Sequence, residues 1–240
     1  MLMPCFYAHL KFGEKVLSTF DNNLSRTILK DKKKRNMFDI GLQGPDFLFF
    51  YKPLIKRHPN HVGHLIHRSL ATEFLVPLIH SLQKYEADSD ELCYVMGFIC
   101  HFALDSECHG YINDMARLPD YNHLEMEIEF DRYLMEKDGL DPVHYPLYNL
   151  IPTDEDTVNT LFHVYQTKNI TQKQIKRSLT EMCYLKKLFT TGAGIQRVII
   201  RFLMKITCHY KQLKGHMLDL IPPSAVRKTN PVILDFMNDA

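Results

Sequence analysis

The sequence lacks several features that would point to a familiar function. It contains no tryptophan and no glycine-rich phosphate-binding loop, so a P-loop nucleotide site has no support. Its charge is almost balanced, with 29 Lys and Arg residues against 28 Asp and Glu residues and a formal net charge of +1. Because nucleic-acid-binding proteins carry a basic footprint, this balance argues against duplex nucleic acid as a partner.

Long hydrophobic runs and export signals are missing as well. The longest apolar run, residues 92–104, spans about 13 residues and includes a histidine, whereas a membrane span needs about 20. Residues 1–9 contain no basic n-region and no apolar stretch of adequate length for classical export. Six cysteines are scattered without a CxxC pair, and three lie within or beside one apolar helix. These features predict a cytoplasmic protein.

The fold prediction is all-α. Apolar residues make up 45 % of the 240 residues, which is ample for one continuous core, and no stretch alternates apolar and polar residues long enough for a sheet. We therefore predict one helical domain over residues 1–240, although two small domains would also fit this length. The spacing predicts helices over 8–20, from 24 across the basic run 30–35, and over 62–85, 90–111, 123–136, 154–166, 171–189 and 194–214.

Histidine is the unusual component, with 13 residues in the chain. His101, Asp105 and His109 are spaced four apart on an apolar helix, so at ~100° per residue they share one face. Lying ~6 Å apart along the axis, they cannot all bind one ion, but a central carboxylate can serve two ions. His123 and Glu127 repeat the spacing on the next helix. The pattern predicts a multinuclear metal site.

Two nearby aspartates extend this prediction. Asp131 lies one turn after Glu127 and is predicted to orient a ligand. Asp46 follows the sharp Gly41-Leu-Gln-Gly-Pro-Asp46 turn, which can aim its side chain inward. The alternative for the histidines is an ordinary core helix in which buried imidazoles are hydrogen-bonded without metal.

A basic stripe occurs in the last third of the chain. Arg197, Arg201 and Lys205 stand four apart among apolar residues. Such a stripe is compatible with contact to an anionic membrane surface, but a solvated face on a core helix is commoner.

Taken as a set, the motifs resemble the zinc-dependent phospholipase C family of bacteria, most closely its leaderless intracellular branch. The family has an all-helical fold with three zinc ions and is akin to secreted fungal nucleases that cut single strands. The resemblance is densest over residues 1–150, with 150–240 completing the helical core. The motifs that carry it are Tyr7-Ala-His9, Gly44-Pro-Asp46, Gly63-x-x-x-His67, Gly97-Phe-Ile-Cys-His101-Phe-Ala-Leu-Asp105-Ser-Glu-Cys-His109 and His123-x-x-x-Glu127.

The resemblance implies a set of metal ligands within residues 9–127. For the first zinc these are Asp46, His67, His101 and Asp105; for the second, His109, His123 and Glu127; for the third, His9 with Asp105 as the shared carboxylate. The choice of His67 follows the Gly63-x-x-x-His67 pattern, and His64 is the alternative. Secreted members complete the third site with an N-terminal tryptophan, whereas this chain has eight residues before His9 and no tryptophan. Two or three zinc ions are therefore expected.

The implied activity is phosphodiester hydrolysis by a metal-activated water, with Asp46 as both ligand and general base. Histidine-rich ligation favours zinc, while manganese or iron fit the same mixed shell. The expected substrate is a phospholipid or another small phosphodiester, with peripheral membrane contact as an option.

Other function classes stay open at this stage. One is a non-catalytic, metal-stabilised helical scaffold or lipid-binding protein, and another is a nucleotide or nucleic-acid phosphodiesterase. A carboxylate-bridged di-iron oxidase would need paired Glu-x-x-His motifs, and none occurs. A helical phosphohydrolase with an adjacent His-Asp pair is not supported, because the sequence has no such dipeptide.

Overall fold

The computed structural model describes residues 6–53, 55, 57–190, 194–206, 217–218 and 224–240. Within these ranges the regular structure is helical and no residue is in a strand, which confirms the all-α prediction. The α-helices are α1 (Phe6–Thr19), α2 (Asn23–Lys30), α3 (Lys32–Gly41), α4 (His58–Arg68), α5 (Ala71–Leu82), α6 (Asp90–Met115), α7 (His123–Lys137), α8 (Glu155–Tyr165), α9 (Gln172–Phe189), α10 (Ile195–Ile206), α11 (Ser224–Arg227) and α12 (Asn230–Asp239). Short 3-10 helices cover Asp46–Phe50, Leu147–Leu150 and Gln166–Lys168.

Two predicted helices are each divided in the structure. The basic run is split between α2 and α3 because Asp31 is extended and its side chain accepts hydrogen bonds from the amides of Lys33 and Lys34. The single helix predicted over 62–85 is wrong, since Ser69 is extended and separates α4 from α5. Residues 207–214 of the last predicted helix lie outside the described residues.

By contacts, the chain divides into two compact units. The Asp46 unit comprises His9–Phe102 and Tyr148–Tyr184. Its α3 and α6 meet backbone to backbone: a Cβ added to Gly41 would lie 2.2 Å from the Tyr94 carbonyl oxygen, and one added to Gly97 would lie 2.2 Å from the Phe38 carbonyl oxygen. This approach sets the position of α6 one turn before His101.

The Glu127 unit comprises residues 6–8, Ala103–Leu147 and the described part of Leu185–Ala240. Here α7 packs against α11 and α12, and the rings of Tyr111 and Phe236 lie 5.7 Å apart. A smaller apolar cluster contains Phe189, Ile200, Met204 and Met217. A single domain over 1–240 stays a prediction.

The cysteines on α6 are core residues. Cys93, Cys100 and Cys108 are all buried thiols, as their place on an apolar helix suggests. Burial raises the pKa of Cys100 to about 11, so it stays a thiol near neutral pH. No helix within the described ranges has both the length and the apolarity to cross a bilayer.

Candidate metal centre

The Asp46 unit carries the first group of metal-ligand side chains, at the turn between α3 and the 3-10 helix Asp46–Phe50. Gly44 in this turn has a φ of +50°. A Cβ there would lie 2.4 Å from the Cδ2 of His101. Both the backbone conformation and the ring of His101 therefore require glycine at this position. The turn brings the buried Asp46 close to His101.

The ligand atoms of Asp46, His67 and His101 converge, and we call these three residues the Asp46 cluster. The Nε2 of His67 lies 2.6 Å from the Oδ1 of Asp46, and one ligand atom from each residue lies within 4.8 Å of the others. His101 is 0 % exposed, and its Nδ1 donates a hydrogen bond to the Leu42 carbonyl oxygen at 3.2 Å. Because a carbonyl only accepts, the Nε2 of neutral His101 keeps its lone pair for a metal.

His67, and not His64, is the histidine of α4 that meets Asp46, and Phe49 packs against both rings. The rings of Phe49 and His67 stack with their centroids 5.4 Å apart and an interplanar angle of 23°, while the ring of His64 is tilted by 45° against Phe49 at 4.7 Å. A Cβ on Gly63 would lie 2.9 Å from this ring. The glycine in Gly63-x-x-x-His67 thus gives Phe49 the space to support His67. Burial lowers the pKa of His64.

His9 of α1 lies beside the same group. Its side chain is buried, and its ring stacks on that of His101 with centroids 4.5 Å apart and an interplanar angle of 30°. Two imidazoles in van der Waals contact can present nitrogens to neighbouring ions. This placement agrees with a ligand role for His9.

The Glu127 cluster, which we define as His109, His123 and Glu127, forms between α6 and α7. Oε1 of Glu127 lies 3.2 Å from the Nε2 of His109 and 2.8 Å from the Nε2 of His123. Asp105 is one turn before His109, with its Oδ1 3.6 Å from the same Nε2. Nδ1 of His123 lies 3.0 Å from the Oδ1 of Asn113, and this contact orients the ring so that its Nε2 faces Glu127.

The donor chemistry of both clusters, and the spacing in the Glu127 cluster, fit zinc. Each combines two imidazoles with a carboxylate, and ligands in a tetrahedral zinc shell lie about 3.3 Å apart. The 2.8 and 3.2 Å separations in the Glu127 cluster are close to that value. Burial acts to raise the pKa of Glu127, but hydrogen bonds from His109 and His123 outweigh it and lower the pKa. The carboxylate is therefore ionised, as a metal ligand must be.

Each cluster is open to water at one imidazole and closed at its carboxylate. The side chains of His67 and His109 are 18 % and 25 % exposed, whereas those of Asp46 and Glu127 are 6 % and 1 % exposed. A half-buried imidazole beside a buried acid gives each cluster one side that water reaches.

Several residues that support the clusters have no signal in the sequence. The buried Asn60 on α4 is one of them, since its Nδ2 lies 3.0–3.1 Å from the carbonyl oxygens of Leu48, Phe49 and Tyr51. It therefore ties α4, which carries His67, to the segment that begins with Asp46. Asn113, which orients His123, is the second such residue.

A pair of tyrosines holds the Gly44 turn. Tyr94 donates a hydrogen bond to the Gly44 carbonyl oxygen at 2.8 Å, and the hydroxyl of Tyr165 lies 2.8 Å from that of Tyr94. Since the proton of Tyr94 goes to the carbonyl, Tyr165 is the donor in the second bond. Burial raises the pKa of Tyr94 well above its ordinary value, so it remains a donor.

The carboxylate of Asp131 on α7 binds the first turn of α1. Its two carboxylate oxygens accept hydrogen bonds from the backbone amides of Tyr7 and Ala8, at 3.1 and 2.8 Å. These are the first amides of α1, so Asp131 stabilises the start of that helix. The sequence predicts that Asp131 orients a ligand, and the structure places its carboxylate at the start of the helix that carries His9.

The fold and these clusters define an all-helical protein with histidine and carboxylate sites suited to zinc. The chain belongs to the zinc-dependent phospholipase C family, since the sequence model of that family matches residues 8–189. Comparison with curated proteins and with solved structures finds no match. The predicted ligands His9 to Glu127 all lie in the matched range, and the family together with the clusters supports a zinc-dependent hydrolase. The assignment to the leaderless branch stays a prediction.

Proposed function

We propose that this protein hydrolyses phosphodiesters at a centre of two or three zinc ions. The observation that carries the proposal is the convergence of two separate sets of ligand atoms, the Asp46 cluster and the Glu127 cluster, in a chain of a zinc-dependent phospholipase family. Core histidines that are only hydrogen-bonded give no reason for two clusters that each combine two imidazoles with a buried carboxylate.

The ligands divide between the clusters as the family resemblance assigns them. The Asp46 cluster, with Asp105 one helical turn after His101, would hold the first zinc, and the Glu127 cluster would hold the second. His9, in contact with the ring of His101, would contribute to a third. Bound zinc supplies water activation and neutralises negative charge on the phosphoryl group.

The chain's own groups supply proton transfer and orientation. Asp46 is the general base in this proposal: its Oδ1 faces His67 at 2.6 Å, which leaves Oδ2 as the oxygen that takes a proton from the attacking water. The Leu42 carbonyl fixes the tautomer of His101, and Asn113 orients the ring of His123. Imidazoles held in place by such hydrogen bonds keep each cluster preorganised at low reorganisation cost.

The substrate class in the proposal is a phospholipid or another small phosphodiester, and the setting is the cytoplasm. The family supports the phospholipid assignment. A nearly neutral chain gives no reason to prefer duplex nucleic acid.

The test combines metal analysis with an activity assay. Protein purified without added metal is expected to contain two or three equivalents of zinc and to hydrolyse an aryl phosphodiester. His101→Ala is expected to lose zinc and to lose activity by roughly 100-fold or more, whereas the matched His80→Ala, on the exposed face of α5, retains both.

Two outcomes would contradict the proposal. Zinc without turnover of any phosphodiester or monoester would indicate a metal-stabilised scaffold. A metal-free protein whose His101→Ala variant folds normally would indicate hydrogen-bonded core histidines.

A further inference from the structure

Helix α10 of the Glu127 unit exposes the residues that a helix usually buries. Arg197 on this helix is only 4 % exposed and donates a hydrogen bond to the Leu218 carbonyl oxygen. The basic stripe of the sequence is therefore not one solvated face. Six of the exposed positions are large apolar residues, with exposures from 48 to 80 %: Ile195, Val198, Ile199, Phe202, Leu203 and Ile206.

These six side chains form one continuous face. At ~100° per residue they cover an arc of about 140°. Arg201 and Lys205 border one edge of the arc and Gln196 the other. The opposite side of the helix carries Ile200 and Met204, which pack into the cluster with Phe189 and Met217. The helix is thus anchored on its inner side and apolar on its outer side, and we call the outer side the α10 face.

The sequence in and beside α10 carries charge of one sign. No acidic residue occurs in the 37 residues between Glu181 and Asp219. The same stretch contains seven Lys and Arg residues, in a chain whose overall charge is nearly balanced. An exposed apolar face made of six large side chains marks an interaction surface. Cations along its edge and the lack of acids select a partner that is both apolar and anionic.

We propose that the α10 face docks on an anionic phospholipid surface. The apolar side chains would enter the boundary between headgroups and acyl chains, and Arg201 and Lys205 would lie at the level of the phosphates. A second copy of the chain is the competing occupant of an apolar face, and the tests below distinguish it from lipid. The inference concerns binding and holds whether or not the protein cleaves lipid.

A tryptophan reporter tests insertion directly, since the chain has no tryptophan of its own. Phe202→Trp is expected to show a blue-shifted emission with vesicles of equimolar phosphatidylcholine and phosphatidylglycerol, and little shift with phosphatidylcholine alone. Leu29→Trp, at an exposed apolar position on α2, is the matched control and is expected to show no shift.

Co-sedimentation with the same vesicles tests which side chains are responsible. The pair Ile199→Ser and Phe202→Ser is expected to weaken binding at least ~10-fold, while Leu29→Ser leaves it unchanged. The pair Arg201→Glu and Lys205→Glu is expected to weaken it as well. Added salt should reduce binding of the unsubstituted protein.

The outcomes separate this inference from the proposed hydrolase. Failure to bind anionic vesicles, or binding that the α10 substitutions leave intact, overturns it. So does a dimer that dissociates on Ile199→Ser and Phe202→Ser while vesicle binding is absent. Hydrolysis of a soluble aryl phosphodiester, measured in parallel, should be unchanged in these variants. Vesicle binding without any hydrolysis would sink the proposed function and leave the inference standing.

Discussion

The two ligand clusters contain the same kinds of side chains but are assembled differently. In the Glu127 cluster His123 and Glu127 share one helix, and His109 comes from the preceding helix. In the Asp46 cluster each ligand comes from a different segment: the Gly44 turn, α4 and α6. In the Glu127 cluster, His123 and Glu127 are brought together by helical spacing on α7. The Asp46 cluster depends on a turn with positive φ and on contacts between distant segments. The Asp46 cluster should therefore be more sensitive to changes outside its ligands.

Gly44→Ala should have the largest effect, because it attacks the turn on which the Asp46 cluster depends. The added Cβ would lie 2.4 Å from the ring of His101, and the residue would keep a φ of +50°. Strain and overpacking together predict a loss of about 2–5 kcal/mol in the free energy of unfolding. Zinc content should fall by at least one equivalent.

Gly139→Ala is the matched control for this prediction. Gly139 also has a positive φ, +72°, but a Cβ there would meet nothing within 4 Å. Its cost should be about 1–2 kcal/mol, from backbone strain alone, with zinc retained. Equal losses for the two variants in urea unfolding would show that the contact with His101 is irrelevant.

Glu127→Gln should affect the other cluster alone. Glutamine keeps the size of the buried side chain but removes the negative charge that two imidazoles face. Metal analysis should show the loss of one zinc equivalent, with the metal of the Asp46 cluster retained. Glu125→Gln, on the same helix and only partly buried, should lose none. Loss of all zinc on Glu127→Gln would mean that the clusters do not bind metal separately.

The same contrast decides how much of the site could be predicted from the sequence. Four-residue spacing is a local property, so the amino-acid order alone places His109 on one face with His101 and Asp105, and His123 on one face with Glu127. The resemblance then assigned His109 to the same zinc as His123 and Glu127. Asp46 and His67 are 21 residues apart with no shared period, and only the family resemblance joined them. The all-α fold and most helix limits followed from apolar periodicity.

Residues that act through long-range contacts could not be predicted from the sequence. Asn60 and Tyr94 look like ordinary polar or core positions, and their roles appear only when their partners, at 9–12 and 50 residues, are in place. Helix α10 misled for a different reason. Its basic stripe suggests a solvated side. In the structure Arg197 is buried, and only Ile200 and Met204 among the apolar residues of α10 pack into the neighbouring apolar cluster. Tertiary packing, not spacing, decided which side faces out.

The smallest expected effect concerns the tyrosine pair, and it separates direct from indirect support of the Gly44 turn. Tyr94→Phe removes the donor to the buried Gly44 carbonyl and should cost about 1–3 kcal/mol, with weaker zinc retention. Tyr165→Phe leaves that bond intact and should cost only about 0.5–1.5 kcal/mol, with zinc unchanged. Urea unfolding and chelator competition measure the two quantities. If both variants lose zinc equally, the turn is held by the packing of the two rings, and the hydrogen bond to Gly44 contributes nothing specific to the Asp46 cluster.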